Sequence, residues 1–172
     1  MERQVPANQR FVIEGRHPLR GEIRPVGNKN AALPILAAAL LTSERVVLHN
    51  VPRIEDVLAM LHLLEDLGVE IVPLGEHDWA LTAGDVRKVG LDPEICKQIR
   101  ASILLAGPLL ARCGQVELPP PGGDIIGRRR VDTHLLALGA LGAAVEANHR
   151  RYTLSAPPGL RGSDIFLDEA SV

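Results

Sequence analysis

Aromatic residues are nearly missing from this sequence: one Trp, one Tyr and two Phe among 172 residues. That excludes the base-stacking surfaces of single-strand nucleic-acid binders and leaves any core to Leu, Ile, Val and Ala. Charge of one sign is missing too. Nineteen Lys and Arg against 21 Asp and Glu give a net charge of −2, so no overall field draws in nucleic acid or an anionic membrane. Cysteine is scarce: Cys96 and Cys113 lie far apart and form no CxxC pair. They read as small buried hydrophobes in a reducing compartment, not as metal ligands. The longest apolar runs, 31–41 and 103–111, are too short to span a bilayer, and Pro34 and Pro108 interrupt them. Residues 1–10 are polar and lack the apolar stretch of a signal peptide. The expected compartment is the cytoplasm.

What is present is a core's worth of aliphatic residues, 46% hydrophobic in all, and a pattern that recurs. Residues 11–14 and 22–26 read as short strands joined by a His-Pro-Leu-Arg-Gly turn. A helix is expected from Lys29, capped by Asn28 or Asn30, with Pro34 in its first turn or so. A strand at 46–49, a helix at 54–67 closed by Gly68, and a strand pair at 69–72 and 79–82 follow. The series then repeats. Ala31-Ala32-Leu33-Pro34-Ile35-Leu36-Ala37 is echoed by Ala101-Ser102-Ile103-Leu104-Leu105-Ala106-Gly107, and Val46-Val47-Leu48 by Val116-Glu117-Leu118, both 70 positions on. Val57, Leu61, Leu64, Leu67 and Gly68 return as Val131, Leu135, Leu138, Leu141 and Gly142, 74 on. Trp79-Ala80-Leu81-Thr82-Ala83 returns as Tyr152-Thr153-Leu154-Ser155-Ala156, 73 on. An α-β-α-β-β unit used twice accounts for the drift. The step from 70 to 74 puts about four extra residues in the second copy, within the Pro/Gly-rich stretch 119–127. A loop that departs from its twin is a place to look for function. The expected organisation is N-terminal strands over 1–27, a first repeat over 28–98, a second over 99–162, and the start of a third, from a strand at 164–167, over 163–172.

Three places carry chemistry. At Gly27-Asn28-Lys29-Asn30 an ammonium sits beside free helix N–H groups, an arrangement that attracts anions; the plainer reading is a capped helix with a solvent-facing Lys. Arg100 stands 70 positions after Asn30, so equivalent helix starts present polar groups, though a surface Arg is the plain alternative. The run from Gly122 to Asp132 combines Gly122 and Gly123, which permit close backbone approach, the acid Asp124, and Arg128, Arg129 and Arg130, whose guanidinium forks suit phosphate or diphosphate. Its alternative is a solvated basic turn. His134, one turn into the following helix, reads as structural. No Walker loop, Gly-x-Ser-x-Gly elbow, His-Glu-x-x-His or Rossmann glycine pattern is present.

These motifs, in this order, resemble the UDP-N-acetylglucosamine enolpyruvyl (1-carboxyvinyl) transferases. The residues that carry the likeness are Gly27-Asn28-Lys29-Asn30-Ala31-Ala32-Leu33-Pro34, Asn50-Val51-Pro52, Arg100-Ala101-Ser102, Pro121-Gly122-Gly123 and Gly127-x-Arg129-x-Val131-Asp132-x-His134. The sister family acting on shikimate 3-phosphate shares the fold but usually has Lys-Ser where this chain has Lys29-Asn30. The resemblance implies an inside-out α/β barrel of two lobes with three repeats each, residues 1–27 belonging to the other lobe. It implies transfer of the enolpyruvyl group of phosphoenolpyruvate to the 3-hydroxyl of UDP-N-acetylglucosamine, the first committed step of peptidoglycan synthesis, serving wall growth, cell shape and division. It implies no metal or organic cofactor, and small-molecule partners only, with no nucleic acid and no membrane. By motif position Lys29 binds the phosphoenolpyruvate phosphate and takes part in catalysis, beside Asn30. Arg100, Arg129, Arg130, Val131, Asp132 and Thr133 hold the UDP-sugar. Asp124 stands where the family usually has a Cys, the proposed general acid, and acts so only if its pKa is raised above the usual carboxylate range. Arg130 replaces a usual Pro. A facing C-terminal lobe is expected to be missing, leaving this chain inactive alone. The alternatives are a non-catalytic UDP-sugar-binding or regulatory protein and a shikimate-type transferase.

Overall fold

A computed structural model describes residues 12–123 and 131–167. The first helix, α1, runs Lys29–Ala38, and a 3-10 turn, Ala39–Leu41, extends it. Asn28 caps it in extended backbone geometry, its Oδ1 accepting from the amides of Asn30 at 2.8 Å and Ala31 at 3.2 Å. Such a cap stabilises a helix by about 1 kcal/mol. Pro34 is the sixth helical residue, one turn deeper than expected. It has no N–H to give, so the Asn30 carbonyl lacks its usual i+4 donor. Strand β1, Arg45–Leu48, leads to helix α2, Glu55–Asp66. Ile54 and Leu67, expected inside that helix, are its flanking residues, and Gly68 follows at φ 101°. Strands β2, Glu70–Pro73, and β3, Trp79–Thr82, complete a sheet of order β1-β3-β2 with antiparallel neighbours.

The second copy repeats this topology. Residues Arg100–Leu105 wind as a 3-10 helix before α4, Ala106–Cys113, so the α and 3-10 portions come in the reverse order of the first copy. Strand β4, Gln115–Leu118, helix α5, Asp132–Ala140, and strands β5, Ala144–Ala147, and β6, Tyr152–Ser155, give a sheet of order β4-β6-β5. The repeat inferred from drifting offsets is therefore an architectural one. The two sheets do not join into a closed barrel among the described residues.

One aliphatic core serves both copies. Leu36, Leu40, Met60, Leu63, Leu64 and Leu67 of the first and Leu105, Leu109 and Leu110 of the second are fully buried in a single cluster. Each such side chain contributes about 1.5–3 kcal/mol. Arg112 fastens the copies together from the end of α4: its Nη1 donates to the carbonyls of Leu40 at 2.7 Å and Thr42 at 3.0 Å, and Nη2 to that of Gly84 at 3.4 Å. Between the copies, the short helix α3, Pro93–Cys96, went unread in the sequence. Asp92 caps it, accepting from Glu94 N and Ile95 N, with Pro93 at its first position, the sequence signature of a helix start.

The three strands expected at 11–14, 22–26 and 164–167 do not form among the described residues, residue 11 lying outside them. Residues 12–28 hold no strand, and neither do 164–167. A strand exists only against a partner, and here Ile13, Leu19, Ile23 and Phe166 are 86–95% exposed, with no sheet edge beside them. Cys96 is buried as expected, whereas Cys113 is half-buried. No helix of the described residues is long and apolar enough to cross a membrane, and no group of three His, Cys, Asp or Glu among them is placed to hold a metal ion.

Candidate functional site

The repeat brings three of the sequence-predicted residues to one place. Lys29, Asn30 and Leu33 from α1, Asp56 from α2, the 98–101 stretch with Ile103 and Leu104, and Gly123 line a cavity of about 380 Å³. Lys29 and Arg100 are its cations and Asp56 its carboxylate. Larger openings at Asn148–Arg151 (about 540 Å³) and around Arg112–Gly114 (about 410 Å³) gather no comparable set from both repeats.

Local structure delivers each group. Gly27 sits where an added Cβ would lie 1.8 Å from the Asn50 carbonyl oxygen and 2.9 Å from Pro52 Cδ. That close approach needs a residue without a side chain, and it seats the start of α1 against the Asn50-Val51-Pro52 turn. Lys29 then projects into the cavity, where its Nζ donates to Asp56 Oδ2 at 2.6 Å. The Asn28 side chain already takes the Asn30 and Ala31 amides. The expectation of free helix N–H groups beside Lys29 is thus corrected: attraction for an anion falls to the two cationic side chains.

The second wall is fastened to the chain between the repeats. Gly122 N–H donates to the Cys96 carbonyl at 2.9 Å, and Gly123 N–H to that of Lys97 at 3.1 Å. A Cβ on Gly122 would meet the Lys97 carbonyl oxygen at 1.9 Å. This brings Gly123 to the cavity next to Arg100, whose backbone N an added Cβ at Gly123 would approach to 3.1 Å. Asp124, Arg128, Arg129 and Arg130 lie outside the described residues. Val131 precedes α5, half-buried against the core, and Asp132 and Thr133 open the helix; none of the three lines the cavity. Arg100, Asp132 and Thr133 are each engaged in interactions of their own. His134 is exposed on α5.

Sequence reasoning missed Asp56 and Gln98. Asp56 was within reach of the logic that found Arg100, because 74 positions on it corresponds to Arg130, so the two copies carry opposite charges at equivalent places.

Paired α-β-α-β-β units whose equivalent helix starts converge on a polar cavity define an enolpyruvyl-transferase fold. Over 81% of this chain and 30% of the other, the structure matches the enolpyruvyl transferase NikO from Streptomyces tendae with a TM-score of 0.66 at 23% identity. Over 88% of this chain and 35% of the other, it matches EPSP synthase from Acinetobacter baumannii with a TM-score of 0.66 at 17% identity. At these identities the likeness is one of fold.

The family profile for EPSP synthase (3-phosphoshikimate 1-carboxyvinyltransferase) matches residues 13–172, and the chain belongs to that family. Among curated relatives, the UDP-N-acetylglucosamine 1-carboxyvinyltransferase of Bradyrhizobium diazoefficiens is 55% identical over 162 residues, 94% of this chain and 37% of the relative. The protein of that name from Treponema denticola is 50% identical over 94% of this chain and 38% of the relative. The chain thus spans less than two-fifths of the length of these relatives.

Proposed function

We propose that this chain forms the cationic wall of an enolpyruvyl transferase that acts on phosphoenolpyruvate and the 3-hydroxyl of UDP-N-acetylglucosamine. The observation that carries the reading is the convergence of Lys29, Asn30 and Arg100 from equivalent helix starts on one cavity, in a chain 55% identical to a relative named for that reaction. Lys29 takes the phosphate of phosphoenolpyruvate, with Asn30 beside it. Arg100, Arg129, Arg130, Val131, Asp132 and Thr133 hold the UDP-sugar. In the addition step the 3-hydroxyl oxygen bonds to the central carbon of phosphoenolpyruvate and gives its proton to a base of the facing lobe, while the methylene carbon gains a proton from Asp124. In the elimination step the new methyl carbon returns a proton to the Asp124 carboxylate as the bond between the central carbon and the bridging phosphate oxygen breaks, releasing inorganic phosphate.

In the same reading the repeats divide at 28–98 and 99–162, with 163–172 starting a third. Residues 1–27 belong to a second lobe that faces the cavity and completes the site. The enzyme works in the cytoplasm, and its product feeds peptidoglycan synthesis and hence cell shape and division. Closure between two walls excludes water and completes such a site, so this chain alone is expected to be inactive.

The test is a graft. The chain replaces the matching segment of the Bradyrhizobium diazoefficiens relative, and phosphate release is followed with both substrates present. Release that depends on UDP-N-acetylglucosamine and falls at least ~100-fold in Lys29→Ala, on the scale of losing one transition-state charge partner, supports the proposal. A folded graft without release, or one that prefers shikimate 3-phosphate, overturns it.

A further inference from the structure

The β2–β3 hairpin reaches across to the turn that seats Lys29, and two of its residues grip that turn. Asp78 Oδ1 accepts the Asn50 N–H at 3.1 Å and lies 3.2 Å from His49 Nδ1. Beside it, Val51 N–H donates to the His77 carbonyl at 2.8 Å, and His77 Nδ1 lies 3.1 Å from the Val51 carbonyl oxygen. Asn50 is held at φ 56°, a left-handed conformation uncommon outside glycine. Held so, its carbonyl oxygen packs against Gly27, where a methyl group would overlap it at 1.8 Å. Asn28 and Lys29 follow directly. We propose that Asp78 is a positioning residue for Lys29, acting through Asn50 and Gly27 and touching neither the cavity nor its ligand.

Three facts support a role beyond holding the hairpin together. First, the hairpin is already paired through the β2–β3 register, and the Leu74 N–H donates to the Asp78 carbonyl at 2.9 Å, neither of which needs the Asp78 side chain. Second, that side chain is spent on the Asn50-Val51-Pro52 turn, 28 residues earlier in the sequence. Third, a left-handed non-glycine residue persists only where its surroundings hold it, and the Asp78 carboxylate is the side chain bonded to the Asn50 amide. Without it the turn keeps only the His77 contacts to Val51, and the Asn50 carbonyl fixes less firmly where Gly27, and so Lys29, enters the cavity.

The proposal rests on the reading of Lys29 as the phosphate anchor, and the experiment separates the two. The whole chain, labelled with nitrogen-15, is titrated with inorganic phosphate while the amide shifts of Lys29, Asn30 and Ala31 are followed. Asp78→Ala is expected to weaken phosphate about fivefold, the scale of one lost hydrogen bond. Asp78→Asn, which keeps an oxygen for the Asn50 amide, should bind within about twofold of the parent. Gly27→Ala should reproduce the Asp78→Ala loss by pushing the same contact apart. Asp85→Ala breaks an exposed ion pair with Arg87 away from the cavity and should leave phosphate binding alone. If Lys29→Ala binds phosphate like the parent, the anchor reading fails. If Lys29→Ala loses binding while folded Asp78→Ala and Gly27→Ala keep it, only the positioning role fails. Equal weakening by Asp85→Ala would mean general loosening and would also overturn it.

Discussion

Lys29 Nζ and Asp56 Oδ2 lie 2.6 Å apart, joining the first helical residue of α1 to the second of α2 across the mouth of the cavity. Both side chains are substantially open to solvent, at 47% and 37% exposure. A pair of that kind contributes about 0–1 kcal/mol to stability. Its consequence is for ligands: an incoming anion must share the ammonium with a carboxylate already bound to it. Asp56→Asn keeps an oxygen acceptor and removes the competing charge. It should leave the melting temperature nearly unchanged and tighten inorganic phosphate about two- to fivefold, on the scale of a surface charge pair. Weaker phosphate binding in a phosphate titration of the variant would show that the carboxylate helps the anion site and does not oppose it.

The contact between the two copies makes a second prediction. Arg112 offers its guanidinium to three backbone carbonyls, two of them at 3.0 Å or less. Hydrogen bonds to charged groups contribute about 1.5–3 kcal/mol each when partly buried. Arg112→Met keeps much of the apolar stem and loses every donor. Urea denaturation should show a loss of about 2–3 kcal/mol, with Arg112→Lys recovering only part because an ammonium lacks the planar fork. A change within ~0.5 kcal/mol, the usual range for a surface site, would mean that the shared leucine core alone holds the copies together.

Much of this was legible in the sequence, for a physical reason. The core positions of α2 and α5 repeat with helical spacing, so Val57, Leu61 and Leu64 announce both the helix and its twin. Lys29 was legible from its place at a helix start, and Arg100 because a duplicated unit puts it at the position equivalent to Asn30. The strands expected at 11–14, 22–26 and 164–167 do not form among the described residues, because alternating apolar residues report the capacity to pair, and pairing depends on what lies alongside. Asp56 was missed because an acidic residue in a first helical turn looks like ordinary dipole compensation; its salt bridge to Lys29 is a tertiary fact. Nor does local sequence announce that Asp78 reaches Asn50, since a five-residue hairpin loop carries no record of the turn it touches.

The two thiols should behave differently. Burial pushes the Cys96 thiol up to about 11, against an opposing hydrogen bond with Ser102. Only thiolate reacts with iodoacetamide, so in the folded chain at pH 8 alkylation should fall on half-buried Cys113 and spare Cys96 until denaturant is added. The same shift fixes a stability slope. A thiol whose folded pKa lies above its unfolded value of 9.0 contributes stability that is fully present below pH 9 and lost as pH rises toward about 11. Cys96→Ala should flatten that alkaline loss. Rapid labelling of Cys96 in native buffer, read by peptide mass, would contradict the buried placement.

Asp78 titrates at the opposite end. The Asn50 amide, and after it the hydrogen bond and charge of His49, hold its carboxyl below the usual value of 3.8. A carboxyl depressed in the folded state contributes stability above its unfolded pKa and loses it as pH falls through the lower folded value. The contribution is therefore intact at pH 5 and above and drains away below about pH 4, near the unfolded carboxylate value. Asp78→Asn should be less acid-sensitive than the parent between pH 4 and pH 2, and the two should converge at the acid end. Local reporting is sharper than global unfolding here, because the group is solvent-accessible and its effect is confined to one turn. The Asn50 amide should become less protected from hydrogen exchange as Asp78 takes up its proton, because a neutral carboxyl oxygen accepts more weakly than a carboxylate, while the Leu63 and Leu64 amides of α2 stay protected. If Asn50 exchanges at one rate across that range after correction for the intrinsic pH dependence, the charge of Asp78 adds nothing to the hold on the turn; if its amide is equally protected in Asp78→Ala, the route from the hairpin to Lys29 fails.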